Sequence, residues 1–164
     1  MNLREKYGEW GIVLGATEGV GKAFCEKLAQ GGMNVVMVGR REEKLKELGE
    51  SIKQTYGVDY KVVKADFSTP NATDAIFAAT EGLDMGFMSY VACLHSFSKI
   101  QDTPWEKHEA MINVNVVTFM KCFYHYMKIF AAQDRGAVIN VSSMTGISSS
   151  PWNGQYGAGK AFIL

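Results

Sequence analysis

Tyr156 and Lys160 stand four positions apart in the segment QYGAGKAFIL, and Ser143 precedes them in GAVINVSS. On a helix, that spacing places phenol and ammonium on one face. A tyrosine ordinarily titrates near pH 10, and a neighbouring cation favours its ionised form and lowers that value. Such a group can take or give a proton during a reaction, an effect worth about 10²–10⁴ in rate. Ser143 closes an apolar run and is placed to hold a substrate oxygen by a hydrogen bond. The bland alternative is an incidental helical pair, worth only a few tenths of a kcal/mol.

A second constellation lies at the other end of the chain. The apolar run GIVLGA leads straight into LGATEGVGKAF, with Gly15, Gly19 and Gly21 where strand turns into helix. Glycine permits a tight turn and close approach of a phosphate to the backbone. The helix start beyond it offers free N–H groups and partial positive charge. Thr17, Glu18 and Val20 complete this candidate dinucleotide-binding turn. After the next apolar run, NVVMVG, come Arg40 and Arg41. A site selecting NAD usually carries a carboxylate there for the ribose 2′-OH, whereas Arg pairs a 2′-phosphate. NADP(H) is therefore expected over NAD(H). Two readings stand against it: the arginines begin the next helix, and Glu18 repels a phosphate if it points that way.

The elements that must position these groups alternate. Strands are expected at 11–16, 34–39, 60–67, 85–93 and 136–143. Helical periodicity runs from Val20 to the Gly31-Gly32 stop, then along Leu45, Leu48, Ile52 and Tyr56. Another helix is expected from Thr69-Pro70, with proline at its first position. Thr103-Pro104-Trp105-Glu106 resembles a capping box. Residues 114–132 look helical and apolar on nearly every face, a pattern that predicts burial on several sides and a homo-oligomer contact. A loop with Ser148, Ser149, Ser150 and Pro151 precedes the last helix. Near-continuous apolar strands separated by helices predict an α/β fold, a Rossmann-type doubly wound parallel sheet, in one domain spanning 1–164. A flavodoxin-like strand order is the open alternative.

The 17 basic residues balance the 17 acidic ones, so no electrostatic argument favours nucleic acid or an anionic membrane. No segment has the length and apolarity of a membrane span, and no start resembles a signal peptide, so a cytoplasmic protein is the default expectation. Cys25, Cys93 and Cys122 are expected as free thiols, and His95, His108 and His125 lack metal-ligand spacing.

Taken together, these motifs resemble the short-chain dehydrogenase/reductase family along essentially the whole chain. LGATEGVG resembles its glycine loop, with Leu14 where Thr is usual. ADF (65–67) resembles the segment in which Asp66 and Phe67 contact adenine, and INVN (112–115) its helical Asn segment. NVSS (140–143) and YGAGK (156–160) supply its Ser, Tyr and Lys. The stretch GVGKAFCEKLAQGGMNVVMVGRREEKL is similar to the branch holding hydroxysteroid dehydrogenases and 3-ketoacyl-CoA reductases. The resemblance implies that Tyr156 passes the proton. Lys160 lowers the tyrosine pKa and binds the nicotinamide ribose. Ser143 orients the substrate, and Asn115, with Asn113 as the neighbouring candidate, holds a relay water.

Two departures stand out. The family's NNAG segment appears as YVAC (90–93): Ala92 is retained against the cofactor, while Tyr90, Val91 and Cys93 replace both Asn residues and the Gly. The family also continues well past position 164, so the chain resembles a fragment whose fifth strand is left as a sheet edge. The expected activity is NADP(H)-dependent interconversion of a small-molecule carbonyl and a secondary alcohol. The alternative is a non-catalytic dinucleotide-binding or interaction module.

Overall fold

A computed structural model describes residues 2–148 and 151–164; Ser149 and Ser150 of the serine-rich loop lie outside the described residues. The chain runs α1 (Leu3–Tyr7), β1 (Trp10–Leu14), α2 (Gly19–Gln30), β2 (Asn34–Gly39), α3 (Glu42–Tyr56), β3 (Tyr60–Lys64), α4 (Ala72–Thr80) and β4 (Met85–Tyr90). It continues through α5 (Trp105–Ile112), a π turn (Asn113–Val117), α6 (Thr118–Ala132), β5 (Ala137–Asn140), a 3₁₀ turn (Met144–Gly146) and α7 (Gly154–Phe162).

The five strands are parallel in the order β3-β2-β1-β4-β5. That is the Rossmann order and excludes the flavodoxin-like alternative. The order reverses between β1 and β4, and the carboxyl ends of those strands are where such sheets place a ligand. Successive side chains point to opposite faces. Ile12, Leu14, Met88 and Tyr90 pack with Phe119, Tyr126 and Phe130 of α6 on one face. Val13, Val35, Met37 and Phe87 pack with Cys25 and Leu28 of α2 and Leu45 and Ile52 of α3 on the other. Both faces are covered, as the unbroken apolar runs require.

Several local expectations are corrected. α4 begins at Ala72, not at Thr69-Pro70, because Asp66 organises the preceding turn. Ser68 donates to its carboxylate from N and Oγ at 3.0 and 2.7 Å, and Thr69 N donates to Asp66 O at 3.1 Å. The capping box at 103–106 does not form: the Thr103 hydroxyl donates to Lys99 O at 3.1 Å instead of capping α5. The 114–132 segment opens with a π turn rather than as regular helix, and α6 buries Phe119, Cys122, Tyr126 and Phe130 while Met120, Tyr124 and Met127 stay exposed. The last two strands end earlier than the apolar runs, at Tyr90 and Asn140, and β5 occupies one edge of the sheet.

α1 has no signal in the periodicity. It is placed by contact: Leu3 packs so close to Gly31 that a Cβ there would lie 2.4 Å from Leu3 Cδ1, and Leu3 N donates to Gly31 O at 2.9 Å.

Candidate active site

α7 reaches its place because two of its residues lack side chains. A Cβ on Gly157 would lie 2.7 Å from Thr145 O, and one on Gly159 would lie 2.8 Å from Asn115 Cβ. The glycines of YGAGK therefore let the helix settle on the 3₁₀ turn and the π turn. That contact brings Ser143, Tyr156, Lys160 and Asn115, drawn from three elements, into one place.

Lys160 is 1% exposed. Its ammonium donates to Val141 O at 2.6 Å, and Ser142 Oγ donates to Lys160 O at 2.6 Å, so the lysine is held from both ends. Burial lowers its pKa, against a smaller opposing effect of Cys93. The Ser143 hydroxyl accepts from Thr145 N at 3.2 Å and Thr145 Oγ1 at 2.9 Å. With its oxygen accepting twice, its own proton is directed to the Tyr156 oxygen, the hydrogen bond that pulls the tyrosine pKa down.

Tyr156 departs from the sequence expectation. Its pKa is raised, not lowered: burial is the largest cause, the Cys93 thiol beside it adds to the rise, and a hydrogen bond with Ser143 pulls the other way. The Lys160 ammonium lies 5.8 Å from the ring centroid and directs a hydrogen bond to Val141 instead of to the phenol. His95 meets the same ring edge to face at 5.7 Å. The sequence motifs give neither Cys93 nor His95 a role at the tyrosine. Their position in the loop leaving β4, the strand beside the topological switch point, is the signal that could have flagged them.

Asn115 and Asn113 separate clearly. Asn115 is buried, its Nδ2 donating to Leu94 O at 2.7 Å and its Oδ1 accepting from Leu94 N at 3.0 Å, directly under Gly159. Asn113 faces away and donates to Ser68 O at 3.0 Å. A π turn shifts side-chain register within a helix and often marks a functional site. Here it aims Asn115 at the loop after β4.

On one side of this cluster lies a cavity of about 480 Å³ whose walls include Gly15, Thr17, Glu18, Arg40, Asp66, Ala92 and Cys93. Phe67 also borders it, but its ring turns into the core against Tyr90. Gly19, Val20 and Gly21 lie at the start of α2, with Val20 exposed and Gly21 buried. The cradle suits an extended phosphate-bearing ligand. Gly15, at φ +99°, sits so close to the backbone of Ala92 that a Cβ would lie 2.6 Å from its nitrogen. Gly21 leaves 2.0 Å for a Cβ before Gly15 O, whereas Gly19, at φ +55°, faces open space. Dense packing beneath and open space above form a backbone cradle that a phosphate can approach. Gly39 closes the wall, its missing Cβ 3.3 Å from Thr17 Oγ1.

On the other side of Tyr156 is a cavity of about 300 Å³ bordered by Ser96, Ile100, His108, Met111, Trp152 and Asn153. His108 ties its walls together: Nδ1 meets Gln155 Oε1, Nε2 lies 3.1 Å from Ile100 O, and Gln155 Nε2 donates to His108 O at 2.8 Å. Ile100 and Trp152 give this side an exposed apolar rim. Tyr156 thus lines the apolar-rimmed cavity and lies beside Cys93, which lines the glycine-lined one.

A family model described as short chain dehydrogenase matches residues 9–164. The chain is 90% identical over all of its 164 residues to a 7beta-hydroxysteroid dehydrogenase of Mediterraneibacter gnavus, covering 62% of that protein. It is 46% identical to a 7beta-hydroxysteroid dehydrogenase of Clostridium sardiniense, covering 63% of it. A solved structure concerned with 7beta-hydroxysteroid dehydrogenase stereoselectivity superposes with a TM-score of 0.99 at 85% identity, over the whole chain and 63% of its own. A short-chain dehydrogenase from Sphingobium yanoikuyae in complex with NADPH shares the fold, with a TM-score of 0.89 at 24% identity, covering 94% of this chain and 61% of that one. The chain thus spans less than two thirds of the length of these relatives.

Proposed function

The chain belongs to the short-chain dehydrogenase family, and on that premise we propose that the whole protein is an NADP(H)-dependent oxidoreductase interconverting a hydroxyl and a carbonyl on a steroid. One observation carries the proposal: Tyr156, held with Lys160 and Ser143 on its near side, lines the apolar-rimmed cavity and lies beside Cys93, which lines the glycine-lined one. The steroid class is taken from the names of the relatives, and the apolar rim at Ile100 and Trp152 suits a rigid hydrocarbon body.

Gly15, Thr17, Arg40, Asp66 and Ala92 hold the dinucleotide in this reading. When bound, the nicotinamide supplies or accepts the hydride. Ser143 redirects its hydroxyl proton from Tyr156 to the substrate oxygen and orients it. Tyr156, kept protonated by burial, gives its proton to that oxygen during reduction and takes it back during oxidation. Lys160 would hold the nicotinamide ribose when the cofactor is bound, and its positive charge near the phenol would oppose the upward pull of burial and Cys93. Asn115 fixes the loop after β4 and is the relay residue. The exposed face of α6, with Met120, Tyr124 and Met127, supports a homo-oligomer contact.

The test is turnover by the full-length protein. Oxidation of a 7β-hydroxysteroid with NADP⁺, faster than with NAD⁺ at equal subsaturating concentration, is expected. No hydride transfer with either cofactor overturns the assignment.

A further inference from the structure

Arg41 is already paired in the free protein. Its Nη2 lies 2.8 Å from Glu18 Oε1. This bond links the β1–α2 loop to the β2–α3 turn, and both residues border the cavity that Thr17, Gly39, Arg40 and Asp66 also line. Three cations face two carboxylates here. Lys44 acts on Glu18 alongside Arg41, and Arg40 acts on Asp66, whose carboxylate is held mainly by Ser68. Among the described residues, Arg40 forms no ion pair. The two arginines are therefore inequivalent: one cation is free and the other is neutralised by a carboxylate from the glycine loop.

We propose that Glu18 competes with the cofactor's 2′-phosphate for Arg41 and so sets how strongly the site discriminates NADP(H) from NAD(H). The proposal rests on reading this cavity as the dinucleotide site. The pair is exposed, with side chains 45% and 69% accessible for Arg41 and Glu18, and ion pairs at such exposure are weak. A phosphate dianion offers Arg41 bidentate, charge-assisted hydrogen bonds and displaces the carboxylate. The displaced Glu18 stays beside the new negative charge and weakens its binding. NAD(H) presents only a hydroxyl there, so the pair stays closed and Glu18 has no effect on it. Glu18 thus tempers a preference that Arg40 and Arg41 create.

The test is fluorescence titration of the full-length protein with NADPH and NADH, in Glu18→Gln, Arg41→Ala and the double variant. Glu18→Gln is expected to tighten NADPH about 3–10-fold and leave NADH within about twofold, with the gain shrinking at high salt. In the Arg41→Ala background the gain is expected to fall below about twofold. An equal gain for NADH, no gain for NADPH, or a gain that persists in full without Arg41 overturns the competition. If the wild type prefers NADPH and Glu18→Gln leaves the ratio unmoved, the competition falls and the cofactor reading stands. If the wild type binds NADH as tightly, yet Glu18→Gln shifts the ratio through Arg41, the competition stands and the NADP(H) preference falls. If neither cofactor binds, both fall.

Discussion

Tyr90 donates its hydroxyl to Val114 O at 2.6 Å, joining the end of β4 to the π turn. Its ring is buried between Phe67 at 5.9 Å and Phe119 at 5.4 Å. Tyr90 therefore joins a hydrogen bond between two elements to the filling of the core. Tyr90→Phe keeps the packing and removes the bond. It should lower stability by about 1 kcal/mol, whereas Tyr90→Ala should cost about 3–5 kcal/mol. Urea unfolding of both variants checks the difference.

The glycines of α7 are not equivalent. Gly154 has open space where a Cβ would point, while Gly159 has 2.8 Å to Asn115 Cβ. Gly154→Ala should be neutral or stabilising by up to about 1 kcal/mol, since alanine restricts the unfolded chain. Gly159→Ala should destabilise by about 1–3 kcal/mol through overpacking and move Lys160 away from Asn115. Thermal unfolding of the pair decides it; equal effects would contradict the packing described.

Much of this arrangement was legible in the sequence, for a physical reason. Gly15, Ser143, Tyr156 and Lys160 carry chemistry in their residue types, and strands buried on both faces read as unbroken apolar runs. What escaped was set by particular hydrogen bonds that the apolar pattern does not encode. Thr103 could cap α5 by local rules, but its hydroxyl is taken by Lys99 O. Pro70 could open α4, but it follows the turn that Asp66 holds over 66–69, and the helix starts only at Ala72. The π turn that separates Asn115 from Asn113 leaves no mark on apolar periodicity. Lys160 was expected to lower the Tyr156 pKa by sequence proximity, but its hydrogen bond goes to Val141 O.

The Asp66 turn should titrate. Ser68 N–H and then its hydroxyl hold the carboxyl below the usual 3.8. A lowered native pKa adds stability above the unfolded value, and that stability is lost as pH falls through the native value. The loss should therefore appear below about pH 4. Ser68→Ala keeps the N–H and removes the hydroxyl, so it should move the Asp66 pKa part of the way back up, as read by carboxyl NMR titration. An unchanged value would show that the hydroxyl is not a cause.

The Tyr156 phenol is pushed up by burial and by Cys93, and pulled down by Ser143. Oxidation of an alcohol needs the phenolate as base, so activity rises through that pKa. Cys93→Ala removes one upward cause and leaves burial in place. The alkaline-side rise of kcat/KM for alcohol oxidation should then shift to lower pH in the full-length protein. Ser143→Ala removes a downward cause and should shift it to higher pH while lowering turnover. Opposite shifts from two neighbours of one hydroxyl identify that hydroxyl as the titrating group, which loss of activity alone cannot do. Tyr156→Phe should lower kcat by at least about 10²-fold with NADPH binding near normal, because the ring and its packing on His95 persist while the proton donor is gone. If Tyr156 and Lys160 were only an incidental helical pair, Tyr156→Phe would change the rate by less than about twofold, since such pairs are worth a few tenths of a kcal/mol. Retained turnover in Tyr156→Phe, or shifts of the same sign in the other two variants, would remove Tyr156 from the mechanism.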